Sequence, residues 1–223
     1  MNKFRNRKIV IFDLDKTITK IDTYIPFILF FIIFRPFKVF KFCLLISPTC
    51  KYLINQISDS NLKELYLTEF FKNEDQKFID NLAKRFVRIF SKFFLYEDAL
   101  ERIKFHRERG DEIIIASASL DLYVCHFASD LGFDNFLATE TDKTSENIIT
   151  GKLKGPNLKG EKKLHEVKKL LNYPLDYCKI IAYSDDESDI HLLSWVDEGV
   201  IINGKEKYIK KSEKINILSE VWR

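Results

Sequence analysis

What most constrains this chain is a recurring pattern: short runs of β-branched and other apolar residues that end on a polar group, separated by stretches with helical spacing. Lys8–Phe12 (KIVIF) runs into Asp13. The segment DEIIIASAS at 111–119 has the same form, with Ile113–Ala116 apolar and Ser117 at the exit. KIIAYSDDESD at 179–189 repeats it and reaches Asp185, and GVIIN at 199–203 is a fourth such run. Runs of this length read as buried strands. Helical patterns fill 98–109, 120–131, 160–172 and 187–195, with Gly110 and Gly132 where helix stops belong. Strand–helix alternation predicts an α/β fold with a parallel sheet and right-handed crossovers. Ligands of such sheets bind beyond the carboxyl ends of the strands, so Asp13, Ser117 and Asp185 are expected on one edge.

Residues 20–97 break the alternation. They carry no strand–turn–strand signal and read as mostly helical, an insertion about the size of a cap. IITGKLKGPNLKG at 148–160 reads as a turn-rich connection into the next helix. At 223 residues the chain can hold one sizeable domain with a smaller insertion. With 46% apolar and 31% charged residues it is an ordinary globule, not a disordered chain. A net charge of +3 is too small to argue for nucleic acid. Cys43, Cys50, Cys125 and Cys178 form no C-x-x-C pair and no zinc spacing, which suits reduced thiols. The basic N-terminal residues precede only Ile9–Phe12 before Asp13, too few for a signal-peptide core, and a cytoplasmic location is expected.

Two frames overlap at the first strand end. D-x-D-x-T comprises Asp13, Asp15 and Thr17; D-K-T-x-T comprises Asp15, Lys16, Thr17 and Thr19. Each offers a carboxylate nucleophile, but not the same one. Attack on a phosphomonoester needs such an anion, an acid/base, a hydroxyl donor, a lysine and metal-binding acids. Asp13, Asp15, Ser117, Lys163, Asp185 and Asp189 supply these at strand ends or helix starts. Any one strand-end Asp is as readily a helix N-cap; the ordered set is the signal. The four histidines sit on expected helices without metal spacing and read as ordinary surface or core residues.

The set resembles the four motifs of the haloacid dehalogenase (HAD) superfamily of aspartate-nucleophile phosphatases. FDLDKTIT resembles the first motif, IIIASAS the second, KGEKKL the lysine motif and AYSDDESDIHLL the final acidic motif, in family order. The resemblance implies a Rossmann-like HAD core, residues 1–19 and 98–223, with an α-helical cap at 20–97. It also implies Asp13 as nucleophile and Asp15 as acid/base. The D-K-T-x-T frame instead resembles ion-pumping ATPases of the same superfamily, whose multi-helix membrane domain is absent here. By the same carry-over, Mg²⁺ would be held by Asp13, the Asp15 backbone carbonyl and Asp185, with Asp189 further out. Ser117 would donate to the phosphoryl group and Lys163 would offset its charge, with Lys162 as the rival lysine. Thr17 and Ser119 are further pocket candidates. Asp186 departs from the Gly or Ser often found after the metal aspartate.

A helical cap after the first motif resembles the phosphoserine-phosphatase-like branch, subfamily IB. There a glutamate nine residues after the nucleophile contacts the substrate amine; here that residue is Asp22. The following stretch, YIPFILFFIIFRPFKVFKFCLLI, is apolar on every helical face from Ile25 to Phe34, and no acid occurs between Asp22 and Asp59. Ten apolar residues before Arg35-Pro36 cannot span a bilayer. A buried core helix and a helix lying in an anionic membrane interface both fit residues 25–46. The segment resembles in composition the cap of bacterial phosphatidylglycerophosphatase C, which implies a lipid-linked phosphate such as phosphatidylglycerophosphate as substrate. Phosphoserine or another small phosphorylated metabolite is the alternative. A phosphorylated regulator would lack Asp15 and the helical insertion, and a peripheral membrane-binding protein would not need the acids.

Overall fold

The computed structural model describes residues 7–171, 178–213 and 217–223. The chain runs β1 (Arg7–Phe12), α1 (Tyr24–Phe34), a 3₁₀ segment (Pro36–Phe40), α2 (Lys41–Leu53), α3 (Asp59–Phe71), α4 (Gln76–Phe94) and α5 (Glu97–Glu108). It continues through β2 (Glu112–Leu120), α6 (Asp121–Leu131), β3 (Asn135–Thr139), β4 (Thr141–Lys143), β5 (Ile149–Leu153) and α7 (Glu161–Leu170). Last come β6 (Cys178–Ser184), a 3₁₀ turn (Glu187–Asp189), α8 (Ile190–Trp195), β7 (Glu198–Ile202), α9 (Glu206–Glu213) and β8 (Leu218–Glu220).

Among the described residues six strands form one sheet in the order β3-β2-β1-β6-β7-β8, every neighbouring pair parallel. The chain builds outward from β1 to β3, then returns to β1's other side for β6. The crevice therefore opens at the carboxyl ends of β1, β2 and β6, where Asp13, Ser117 and Asp185 lie.

Period-two alternation assigns each strand's side chains to two layers. Ile9, Ile11, Ile114, Ala116 and Ala182 pack against Val167, Leu192 and Leu193 of α7 and α8. Val10, Phe12, Ile113, Ile115 and Tyr183 face the other way and join a larger cluster with the helical insertion. Aromatic rings make that junction: Phe27 of α1 lies 4.8 Å from Tyr123 of α6, and Phe86 of α4 lies 5.2 Å from Phe27. Burying each such ring is worth roughly 1.5–3 kcal/mol. Gly132 ends α6 in the left-handed region (φ 73°), as its placement predicts.

Four strands depart from the sequence reading. Residues 148–160 are not simply turns: β5 pairs antiparallel with β4 in a separate two-stranded sheet. β3 and β8 are also strands that the sequence did not announce. All four are short and lack the apolar run of a doubly buried strand, so pairing rather than composition defines them.

The apolar segment after Asp22 divides its residues. Phe27, Ile28 and Phe31 are buried, while Ile25, Leu29 and Ile33 form an exposed stripe at helical spacing. Phe37 and Phe40 are 86% and 71% exposed, and Ile46 and Leu53 are likewise at the surface. Its cations are engaged within the protein: Arg35 and Lys38 with Glu74 at 3.1 and 2.9 Å, and Lys41 with Glu69 at 2.9 Å. Among the described residues no helix is long and apolar enough to cross a membrane.

Candidate active site

After β1 the chain turns tightly, with the amides of Thr17, Ile18 and Thr19 converging on the Leu14 carbonyl. Lys16 takes a left-handed conformation (φ 57°), unusual for a residue with a Cβ. The turn brings Thr17 beneath Asp185, whose backbone N–H donates to Thr17 Oγ1 at 2.9 Å. Asp13 and Asp15 are thereby presented together at the strand end.

Lys163, in the first turn of α7, donates to Asp13 Oδ1 at 2.9 Å and to Asp189 Oδ2 at 2.5 Å. All three side chains are buried. Lys162 is exposed, so it is Lys163 that the geometry sets beside Asp13. Ser184 Oγ also donates to Asp189 Oδ2, at 2.7 Å. Among the described residues Asp189 Oδ1 has no hydrogen-bond partner. Burial would discharge the Lys163 amine, but the Asp13 and Asp189 carboxylates outweigh it and hold the ammonium protonated. Asp13 is pushed well up by burial, against the pull of Lys163, with Asp189, Asp185 and Asp15 adding repulsion. Asp185 is raised to about 7, first by burial and then by Asp186.

Asp15 is held at both oxygens. Oδ1 accepts from the Thr23 backbone N–H at 2.7 Å and from Thr23 Oγ1 at 2.6 Å, and Oδ2 accepts from Ser119 Oγ at 2.5 Å. Burial raises its pKa, with Asp22 adding to this and the Ser119 and Thr23 hydrogen bonds opposing it. Ser117 is buried, and its Oγ accepts from the Ser119 N–H at 3.0 Å. Asp22 is exposed and accepts from the Tyr24 N–H at 2.8 Å, an N-terminal contact on α1. Asp186 begins the 3₁₀ turn, accepting from the Ser188 N–H at 2.8 Å and pairing with Lys159 at 3.2 Å. Both contacts favour its charged form and lower its pKa despite burial. Its place in the chain is thus that of a cap.

A cavity of about 710 Å³ unites Asp13, Asp15, Ser117, Lys163 and Asp185 with the start of α1 and the end of α2. Thr23, Ser184, Lys63 and Asn157 also belong to this neighbourhood, and sequence reasoning missed them. Thr23 carried a weak signal: it stands where a helix N-cap is expected, yet its hydroxyl turns to Asp15 and makes no cap bond. Among the described residues, no three His, Cys, Asp or Glu side chains are gathered closely enough to hold a metal alone. The donor set nevertheless suits a hard cation that keeps waters: oxygen ligands, repelling acids with raised pKa values, and an orphaned carboxylate oxygen on Asp189.

This sheet order, with four motif-bearing segments meeting at one crevice, defines a parallel α/β core with a helical insertion after β1 and an acid-lined site at the strand ends. The haloacid dehalogenase-like hydrolases match residues 10–194 of the sequence, and the chain belongs to that family. Protein CicA of Caulobacter vibrioides is 29% identical over 194 residues, covering 85% of this chain and 83% of its own length. A protein of unknown function from Bordetella pertussis superposes with a TM-score of 0.82 at 18% identity, over 96% of this chain and 98% of that one. A substrate-bound phosphoserine phosphatase superposes with a TM-score of 0.63 at 19% identity, over 96% and 93% of the two chains. These structural likenesses establish the shared fold.

Proposed function

We propose that this hydrolase is a phosphomonoester phosphatase in which Asp13 is the nucleophile and Asp15 the acid/base. The observation that carries this reading is the buried Asp13–Lys163–Asp189 cluster, with Asp15 beside it on the same turn. Asp13 attacks phosphorus, the ester P–O bond breaks, and the protonated Asp15 carboxyl donates its proton to the leaving oxygen. Asp15 then takes a proton from water as that water attacks the aspartyl phosphate, releasing phosphate and restoring Asp13. Burial and Asp22 raise its pKa, the direction the first role needs. Ser117 and Lys163 meet the phosphoryl oxygens. Mg²⁺ would be held by the Asp13 and Asp185 carboxylates and the Asp15 carbonyl, with Asp189 nearby. When bound, such an ion offsets phosphoryl charge. Asp13→Asn is expected to abolish phosphate release from an aryl phosphate; retained release in that variant contradicts the assignment.

The substrate reading favoured here is an amphiphilic phosphate at a lipid surface. Ile21, Ile25 and Leu53 border the same cavity as Asp13 and are themselves exposed, so its rim continues into the apolar stripe of α1. An acyl-bearing phosphate would keep its chain on that rim with its head at Asp13. The division of the cap residues 20–97 from the remaining core, and peripheral membrane contact through 25–46 in a cytoplasmic protein, belong to this proposal. The structural likeness to a phosphoserine phosphatase supports the second reading, a small phosphorylated amino acid. Turnover of phosphatidylglycerophosphate, phosphoserine and an aryl phosphate, each with and without anionic vesicles, separates the two. Phosphoserine turnover indifferent to vesicles contradicts the amphiphile reading.

A further inference from the structure

Lys63 belongs to α3 in the helical insertion, yet its amine reaches across to the core. Nζ donates to the Ala118 carbonyl at 2.6 Å and to Asn157 Oδ1 at 2.5 Å. Thr139 Oγ1 lies 2.7 Å from the same carbonyl and 3.1 Å from the same Asn157 oxygen. Ala118 O, Lys63, Asn157 and Thr139 thus close a ring between α3, the end of β2, β3 and the loop before α7. A threonine hydroxyl has one proton and can fully satisfy only one of its two acceptors. Lys63, with three, donates to both and is the member that holds the ring together.

The Ala118 carbonyl shares its planar peptide unit with the Ser119 N–H. Fixing one end of that plane aims the other, and the Ser119 N–H points at Ser117 Oγ, 3.0 Å away. Ser119 Oγ in turn donates to Asp15. A grip on one carbonyl is therefore felt at both the phosphate-side serine and the acid/base. Lys63 also lines the cavity with Asp13 and Asp15. Burial draws its ammonium down to about 8, against the attraction of Asp15, Asp59 and Asp22.

We propose that Lys63 is a positioning residue, a strut from the helical insertion that orients the Ala118–Ser119 peptide and aligns Ser117 and Ser119 when the insertion is seated on the core. Its consequence for turnover rests on the phosphatase reading; its mechanical effect on residues 117–119 does not. A lysine anchoring two elements for stability alone would lower the melting temperature without selectively changing the chemical step.

The test uses the full chain carrying Lys63→Met, which keeps the apolar stem and removes the donors, and Lys63→Gln, which keeps a donor too short to span the gap. Amide hydrogen exchange at 117–120 and 155–158 is measured alongside kcat and KM for an aryl phosphate. The strut predicts faster exchange in both segments of either variant. It also predicts a kcat loss of about 10- to 100-fold, since a displacement near 1 Å suffices for that, with KM changed by less than about threefold. A kcat within about twofold of the parent, or a KM increase at unchanged kcat, which would mark direct substrate contact, overturns it. Unchanged exchange at 117–120 also overturns it, as does failure of both variants to fold, which would make Lys63 purely structural. If the parent releases no phosphate, the phosphatase reading fails by itself and exchange alone decides the strut.

Discussion

Asp13 and Asp189 flank Lys163, while Asp15 and Asp185 add repulsion at Asp13; burial and this crowding of acids raise the pKa values of Asp13 and Asp185. Asp185 titrates near 7 in the folded chain because burial and then Asp186 disfavour its anion. Its unfolded value is about 3.9. A carboxyl raised in this way contributes stability that is fully present below the unfolded value and is lost as pH rises through the folded one. Metal-free protein is therefore predicted to lose stability between about pH 4 and 7 through this group. Magnesium, which competes with those protons, should raise the melting temperature more at pH 8 than at pH 5. Thermal melts with chelator and with added Mg²⁺ check this, and an equal shift at both pH values would contradict it. The acids, Ser117 and Lys163 were legible in the sequence because each follows a strand or opens a helix at a recognisable spacing. Thr23, Lys63 and Asn157 were not, because a hydroxyl, a helix lysine and a loop amide acquire meaning only when distant segments meet.

Helix α1 shows what uniform hydrophobicity conceals. Apolar on every face, it gave no phase from which to read its buried side, and core packing and surface exposure both proved to apply. Its inward ring Phe27 meets Phe71, Phe86 and Tyr123. Phe27→Ala should cost about 3–5 kcal/mol of stability, read by denaturant unfolding, through lost transfer energy and the cavity left behind. The outward Ile33 and Phe40, 70% and 71% exposed, make the opposite prediction. Replacing both with Ser should leave unfolding within about 0.5 kcal/mol of the parent, as surface changes do. On the amphiphile reading it should also abolish co-sedimentation with anionic vesicles. Undiminished binding would show that Ile33 of α1 and Phe40 of the 3₁₀ segment are not the contact. Because Arg35, Lys38 and Lys41 are engaged by Glu74 and Glu69, that binding should weaken only modestly with salt. The long strands and helices of the core were legible from their periodicity. The β4–β5 hairpin was not, since TDK and ITGKL carry neither an apolar run nor a recognised hairpin turn.

The molecule joins core and insertion through one apolar cluster, running from Val10 and Phe12 beneath the sheet to Phe31 and Phe71 in the helices. The cavity lies along that junction, with Asp13, Asp15 and Asp185 supplied just after β1 and β6 and part of its wall by α1, α2 and α3. Thr23 and Lys63 cross the same boundary by hydrogen bonds, so seating the insertion and arranging Asp15 and Ser119 are mechanically linked. Everything functional in this arrangement depends on which first-turn aspartate receives the phosphoryl group. Rapid acid quench during turnover of an aryl phosphate, followed by mass spectrometry of the peptide containing both residues, reads this directly. A phosphoryl adduct on Asp13, absent in Asp13→Asn and accumulating when Asp15 is replaced by Asn with an activated leaving group, is the predicted result. An adduct on Asp15, or phosphate release undiminished in Asp13→Asn, would contradict the account.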